Sequence, residues 1–168
     1  IDPKLFSFCW VVDFPLFEKD DQGNITAMHH PFTRPKAEDI AKLDSDPLSA
    51  RAESYDIALN GSEIAGGSIR IHEQDLQQKI FSILGISKQE AEQRFGHMLK
   101  AFTFGAPPHG GIAWGFDRLA MLFSDEPNIR EVMAYPKDSK ARDLLTGAPS
   151  PVASDQLKEL HLELDLDD

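Results

Sequence analysis

A glycine-rich stretch that leads into a helix is the clearest candidate for a chemical site in this sequence. Residues 110–114 have the pattern of a short strand, in which glycines let another group approach the backbone closely. From about Gly115 the spacing of apolar residues suits a helix. The free N–H groups and positive dipole end of that helix attract an anion, and Arg118 adds a fixed planar charge. An anion site is one interpretation; a buried strand, turn and helix with an exposed arginine is the other.

A second set of charged side chains surrounds a pair of glycines near the middle of the chain. Residues 53–60 and 68–72 alternate as strands do, and an Asn-Gly pair predicts a turn after the first of them. Asp56 then lies on the polar face of the first strand and Arg70 on that of the second, with Glu63 between them. Such a face is unusual for a core strand pair, so the pattern favours a binding site. A solvated sheet face with an ion pair stays open as the alternative.

Histidines near these strands raise the question of a transition metal. His29 and His30 follow a predicted hairpin, and His72 ends the second strand. Their spacing matches no recognised ligand pattern, and the one cysteine of the chain, Cys9, stands in an apolar run near the start. A histidine metal site is therefore the weaker interpretation of these residues.

The elements that must position these side chains mix strands and helices without a repeated β-α-β unit. Strands are predicted over residues 5–12, 14–18, 25–28, 53–60, 68–72, 110–114, 132–135 and 160–166. The first of them is expected to be buried on both faces, because its apolar run does not alternate. Helices are predicted over residues 75–85, after a cap at Ser87, from Gly115 onward, and briefly after a cap at Ser154. The predicted fold class is α+β, with a mostly antiparallel sheet flanked by helices.

Composition narrows the class of protein. The chain has 168 residues and a net charge of −11, which argues against a surface built wholly for nucleic acid, because phosphate contacts need lysine and arginine. A single cysteine implies no disulfide framework, so a reducing compartment such as the cytoplasm fits best. No apolar stretch of the sequence is long enough to span a membrane.

Several blocks of the sequence, taken together and in order, resemble one known family. They are Trp10-Val-Val-Asp-Phe-Pro-Leu-Phe-Glu18, Met28-His-His-Pro-Phe-Thr33, Leu59-Asn-Gly-Ser-Glu63, Gly66-Gly-Ser-Ile-Arg-Ile-His72 and Pro107-Pro-His-Gly-Gly-Ile-Ala-Trp-Gly-Phe-Asp-Arg-Leu119. Each block alone is a weak signal. As a set they resemble the C-terminal part of the catalytic domain of bacterial-type aspartyl-tRNA synthetases, over essentially all of residues 1–168. The last block resembles the third signature motif of class II synthetases.

The resemblance implies a ligase that joins L-aspartate to ATP in the presence of Mg²⁺ and passes the aspartyl group to tRNA(Asp). By match to the family, Arg70 and His29 contact L-aspartate, and His30 assists in the same loop. Glu63 matches the carboxylate that serves ATP and magnesium, and Asp56 is the second acidic candidate. The other residues matched to ATP are Gly115, Phe116, Asp117 and Arg118.

The chemistry of the matched residues agrees with those roles. In-line attack on a phosphate needs positioning and neutralisation of charge more than covalent help from protein. Magnesium prefers carboxylate and phosphate oxygens, so Glu63 beside a phosphate implies a metal between them. An arginine fork at Arg70 would hold a carboxylate through two bonds and would reject the amide of asparagine.

The chain departs from the family pattern mainly by what it lacks. Ser62 and Ala65 replace an aromatic residue and a third glycine that the family commonly has, and neither change removes a matched ligand. The first two class II motifs, the homodimer interface that the first motif builds, and the N-terminal anticodon-binding domain would all precede Ile1. We therefore expect a fragment that is inactive alone, whose full-length parent is the homodimeric enzyme. A free-standing paralogue that binds aspartate, asparagine or ATP without charging tRNA is the alternative, and a module that merely keeps the fold is a third possibility.

Overall fold

The computed structural model describes residues 5–165 and divides the chain after Gly115 into two compact units. The described strands are β1 (Phe8–Val12), β2 (Phe17–Lys19), β3 (Ile25–Ala27), β4 (Ser54–Leu59), β5 (Ser62–Ile69) and β6 (Gly110–Trp114). The described α-helices are α1 (Gln74–Ile83), α2 (Lys88–Phe102), α3 (Phe116–Phe123) and α4 (Ser154–Glu159). Short 3₁₀ helices occupy Ala37–Asp44, Pro47–Ser49 and Ile129–Glu131. All six strands, α1 and α2 belong to the first unit.

The main element of the first unit is one antiparallel sheet. Its strand order is β1-β4-β5-β6, and each neighbouring pair is antiparallel. β2 and β3 form a separate antiparallel hairpin. Asn60 and Gly61 join β4 to β5, with the positive φ angles of 50° and 86° that a two-residue hairpin turn needs. The α+β class with a mostly antiparallel sheet is therefore confirmed.

A bulge in β5 decides which face carries Glu63. Ile57 pairs with Ala65 and the next residue, Ala58, pairs with Glu63, so Ile64 is an extra residue on β5. Directly paired residues share a face, which places Glu63 on the side of Asp56. Simple alternation along β5 would have placed it on the opposite side, with Ala65. The prediction that the second strand starts at Ser68 is wrong, because β5 starts six residues earlier and ends at Ile69.

The core of the first unit lies between the hairpin, the 3₁₀ segments and α1. It consists of Leu16, Phe17, Leu43, Ala50, Ala52, Ile71 and Ile80. α1 ends before Gly85, whose φ of 72° suits the residue after a helix C-terminus. α2 begins after Ser87, whose Oγ accepts the backbone N–H of Glu90 at 3.2 Å. Both helices and these two boundary signals are confirmed.

The first strand is not buried as predicted. All residues of β1 are exposed, including Phe8 at 61%, Trp10 at 62% and the thiol-bearing Cys9. β1 is an edge strand that pairs with β4, and within residues 5–165 both of its faces stay open to solvent. A continuous apolar run is typical of a strand that other elements cover on both faces. Residues 5–165 form this strand but do not cover it.

In the second unit, Asp143 organises the long loop that follows α3. Its carboxylate accepts a hydrogen bond from Lys137 Nζ at 2.6 Å. It also accepts the backbone N–H groups of Leu145 and Thr146 at 2.9 and 3.1 Å. The lysine and these amides lower the pKa of Asp143 to about 2. The carboxylate therefore fixes the course of residues 137–146 within this loop.

Two strands predicted in the second unit are wrong. Residues 132–135 form no strand, and residues 160–165 form none after α4; Leu166, the last residue of that prediction, lies outside the described residues. The N-cap of α4 is Ala153, and the predicted cap Ser154 is the first residue of the helix. Alternation stabilises a strand only beside a pairing partner, and the leucines of residues 160–165 stay more than half exposed. No helix within the described range is long and apolar enough to cross a membrane.

Candidate active site

A cavity of about 300 Å³ opens on the polar face of the first unit's sheet. It is lined by five residues that were predicted from the sequence as site residues: His29, His30, Asp56, Glu63 and Arg70. Gly66, Gly67, Ser68 and Ala113 complete the lining. We call this cavity the sheet pocket. Its lining combines two carboxylates with a guanidinium and two imidazoles, which suits a ligand that carries both an anionic group and a bound cation.

The two carboxylates of the sheet pocket converge above Gly66. A Cβ at Gly66 would lie 2.6 Å from Asp56 Oδ1 and 3.2 Å from Glu63 Oε1. Asp56 reaches this point as the direct cross-strand partner of Gly66, and Glu63 reaches it because of the bulge at Ile64. The glycine is therefore what leaves room for both acids on one small patch of sheet.

The described residues contain no group of three or more His, Cys, Asp or Glu side chains that could hold a metal alone. His29, His30 and His72, the weaker metal-site interpretation, therefore form no such group. Two carboxylates with no third His, Cys, Asp or Glu ligand among the described residues suit a hard cation that takes its other oxygens from water and phosphate, which is how Mg²⁺ commonly binds. The pair Asp56 and Glu63 therefore fits a magnesium ion that accompanies a nucleotide.

Arg70 stands just after β5 and lines the pocket together with the two carboxylates. Its backbone N–H donates to the carbonyl of His109 at 2.9 Å, and Arg70 forms an isolated antiparallel β-bridge with Thr33. Its Nη1 lies 3.3 Å from Nδ1 of His30. The guanidinium is partly buried and supplies the positive charge of the pocket. It can hold a carboxylate through two parallel hydrogen bonds.

The imidazoles come from the loop that follows β3. His30 Nδ1 lies 3.2 Å from the backbone N–H of Phe32 and 3.4 Å from Thr33 Oγ1. Burial, the charge of Arg70 and the neighbouring His29 all lower the pKa of His30, in that order of importance. The ring of His29 packs edge-on against Phe14 at 4.9 Å.

Two residues that support this loop were missed by the sequence reasoning. Gln77, on the apolar stripe of α1, is 1% exposed and donates from Nε2 to the carbonyl of Pro31 at 2.9 Å. Phe32 packs edge-on against Phe81 at 6.0 Å and Phe95 at 5.1 Å. A glutamine between apolar positions of a helix was the available signal, because a buried amide needs a polar partner.

Four of the residues matched to ATP stand at the end of the first unit and the start of the second. Gly115 ends the first unit, where its N–H donates to the carbonyl of Ile64 at 2.8 Å. Phe116, Asp117 and Arg118 form the first turn of α3 in the second unit. The predicted strand and helix are thus both present, and the contact of these four residues with ATP stays a prediction.

Comparison with known proteins matches the family of class II tRNA synthetases (D, K and N) to residues 1–139. An aspartate–tRNA(Asp/Asn) ligase of Rubrobacter xylanophilus is 60% identical over 164 residues, which are 97% of this chain and 27% of that protein. An aspartate–tRNA ligase of Enterococcus faecalis is 54% identical over 165 residues, 98% of this chain and 28% of that protein. The chain therefore spans little more than a quarter of the length of these relatives.

Solved structures agree with the sequence comparison. The aspartyl tRNA synthetase from Entamoeba histolytica superposes with a TM-score of 0.57 at 28% identity, covering 79% of this chain and 23% of that one. Its similarity supports the mixed fold with an antiparallel sheet that the described residues show. With most of its length matched by the family, and with both the sheet and the charged pocket in place, the chain belongs to the class II tRNA synthetases of the D, K and N group.

Proposed function

We propose that the chain is the C-terminal part of the catalytic domain of an aspartate–tRNA ligase, which activates L-aspartate with ATP and transfers it to tRNA(Asp). The observation that carries this proposal is the convergence of Arg70, Asp56 and Glu63 in one sheet pocket. The names of the relatives support the choice of amino acid. The enzyme would act in the cytoplasm as a homodimer, as the family resemblance implies.

Arg70 is the group that would recognise the aspartate side chain. Its guanidinium presents paired N–H donors, which match the two oxygens of a carboxylate. The amide of asparagine would turn an N–H₂ group toward one of these donors and leave it without an acceptor. His29 lines the same pocket and would contact the amino acid from the loop that follows β3.

Asp56 and Glu63 would hold Mg²⁺ through the oxygens that meet above Gly66. A bound Mg²⁺ neutralises phosphate charge and orients the phosphate for in-line attack. Glu63, Gly115, Phe116, Asp117 and Arg118 are proposed for ATP. The last four are supported by the match to the third signature motif, together with a helix N-terminus and an arginine in one turn. Glu63 is supported by its own match to the family and by its place in the sheet pocket.

Calorimetric titration with two non-hydrolysable analogues, aspartyl-adenylate and asparaginyl-adenylate, tests the function. We expect the wild-type chain to bind the aspartyl analogue at least about tenfold more tightly, because only a carboxylate satisfies both donors of the guanidinium. Equal binding of the two analogues would favour the free-standing paralogue that does not charge tRNA. A folded chain that binds neither would contradict a preformed pocket.

Removing either pocket carboxylate should weaken the dependence of nucleotide binding on magnesium. In Glu63→Gln and Asp56→Asn, we expect the gain in affinity for a non-hydrolysable ATP analogue on adding Mg²⁺ to fall at least about tenfold, because an amide is a poor ligand for a hard cation. Asp44→Asn is the matched control, since this exposed acid pairs with Lys79 outside the pocket. A magnesium effect that survives both pocket variants would show that the carboxylates do not serve the metal.

A further inference from the structure

We propose that His30 is a positioning residue, whose neutral ring holds the Arg70 guanidinium in place through Nδ1. This inference rests on the proposed function for the identity of the ligand. It differs from the family match in that His30 acts on the ligand through Arg70 rather than by touching it.

The hydrogen-bond partners of Nδ1 define the protonation state of the ring. The backbone N–H of Phe32, at 3.2 Å, and Arg70 Nη1, at 3.3 Å, can only donate. Nδ1 must therefore be the unprotonated acceptor, and the neutral ring carries its proton on Nε2. Both contacts require the same tautomer, so the hydrogen bond from the Phe32 N–H stabilises the tautomer that accepts from Arg70.

The loop that carries His30 is fixed from two sides. Gln77 on α1 donates to the carbonyl of Pro31 at 2.9 Å, and the N–H of Ile71 donates to the carbonyl of Phe32 at 3.0 Å. The Phe32 ring is held between Phe81 and Phe95. The loop that carries His30 Nδ1 is thus held by α1 and by Ile71, shortly after the end of β5.

Arg70 needs such an acceptor because its side chain has many rotamers. An arginine side chain loses about 2 kcal/mol of rotamer entropy when it is fixed, and each preformed bond removes part of that loss from the binding step. Arg70 and His30 both line the sheet pocket, and both also line a second cavity, of about 400 Å³, with Phe102 and His109. Without the acceptor, the guanidinium has room to turn from one cavity to the other.

Protonation of His30 would remove the acceptor and place a second cation beside Arg70. Burial, Arg70 and His29 lower the pKa of His30, which keeps the ring neutral at pH 7. The other ionisable groups around it are Asp56 and Glu63 in the sheet pocket and His109 in the second cavity. The neutral state is therefore the one in which the positioning contact operates.

The tautomer can be tested without any ligand. Long-range ¹H–¹⁵N spectra of the whole chain should show the His30 ring, assigned by its loss in His30→Asn, as the neutral Nε2–H form at pH 7. The side-chain ¹⁵N signals of Arg70 should show restricted rotation in the wild type and free rotation in His30→Ala. An imidazolium, an Nδ1–H tautomer or an Arg70 that is equally mobile in both proteins would overturn the proposal.

The effect on recognition is tested by two substitutions of the same residue. Asparagine can place Oδ1 near the position of Nδ1, so His30→Asn should keep the preference for the aspartyl over the asparaginyl analogue within about threefold of the wild type. His30→Ala should reduce that preference about tenfold, because a bond to a charged group is lost. A residue that only supports the fold would weaken both analogues alike. His97→Ala, at an exposed position of α2, is the control.

The outcomes separate the two proposals. If the wild type shows no preference for the aspartyl analogue, the proposed function fails, and the spectra alone decide the contact between His30 and Arg70. If the wild type shows the preference and His30→Ala retains it in full, only the positioning role fails. Unfolding midpoints in urea, measured for every variant, identify any loss that comes from an unfolded chain.

Discussion

Replacing Arg70 by alanine is expected to weaken binding of the aspartyl-adenylate analogue about 100-fold, while the asparaginyl analogue loses less than about fivefold. Truncating one partner of a buried charge pair costs about 2–5 kcal/mol, which corresponds to losses from about 30-fold to several thousandfold, and a loss of about 100-fold lies near the lower end of that range because Arg70 is only partly buried. The uncharged amide of the asparaginyl analogue makes no ionic contact with Arg70, so the substitution lowers its affinity less. Titration calorimetry on the same chain measures both affinities.

A surface arginine provides the control for this substitution. Arg94 forms an exposed pair with Glu90 on α2, so Arg94→Ala should leave both affinities unchanged. Arg70→Lys should recover only part of the loss, because a point charge does not reproduce the paired donors of the fork. Equal losses for the two analogues in Arg70→Ala would mean that Arg70 does not select the side chain.

Replacing Gly67 by alanine is expected to reduce the free energy of unfolding by about 3 kcal/mol. A Cβ at this position would overlap the carbonyl oxygen of Gly111 and lie 2.9 Å from Ile112 Cα, and both of these are backbone atoms of β6. The clash can be relieved only if β5 and β6 separate. Urea denaturation gives the free energy, and hydrogen exchange of residues 110–114 reports whether the strand pair has opened.

The adjacent glycine serves as the matched comparison. The atoms nearest to a Cβ at Gly66 belong to the carboxyl groups of Asp56 and Glu63, which are side-chain ends rather than backbone. Gly66→Ala should therefore cost less than about 1 kcal/mol of stability and still lower the magnesium-dependent nucleotide affinity about tenfold. The interpretation of both glycines would be wrong if Gly66→Ala proved the more destabilising of the two.

The residues of the sheet pocket could be predicted from the sequence because each has a chemical type that is unusual at its position. An arginine and two acids around a glycine pair do not belong to a core strand, and the structure places Asp56, Glu63 and Arg70 in one cavity. The sheet, the hairpin and the first two long helices were also predictable, because periodicity and end signals such as Ser87 and Gly85 act locally.

The features that could not be predicted depend on groups far apart in the sequence. Burial of β1 requires a covering layer that a run of apolar residues does not specify, and the strand proves to be exposed. The leucines of residues 160–165 alternate well but form no strand in the part of the chain that the structure describes. The support of the histidine loop by Gln77 needs a helix and a loop that only the tertiary fold brings together.

The extra residue at Ile64 decides on which face of the sheet Glu63 lies. Ile64 and Ala65 are both buried, at 3% and 2% exposure, and together they oppose the single residue Ile57. A chain one residue shorter here could still set its acid opposite Ala58 and keep it in the pocket. A chain of the same length with regular alternation would turn that acid to the other side of the sheet. In other sequences with this glycine pair, the cross-strand partner of the acid is therefore a better guide to pocket membership than its distance along the chain.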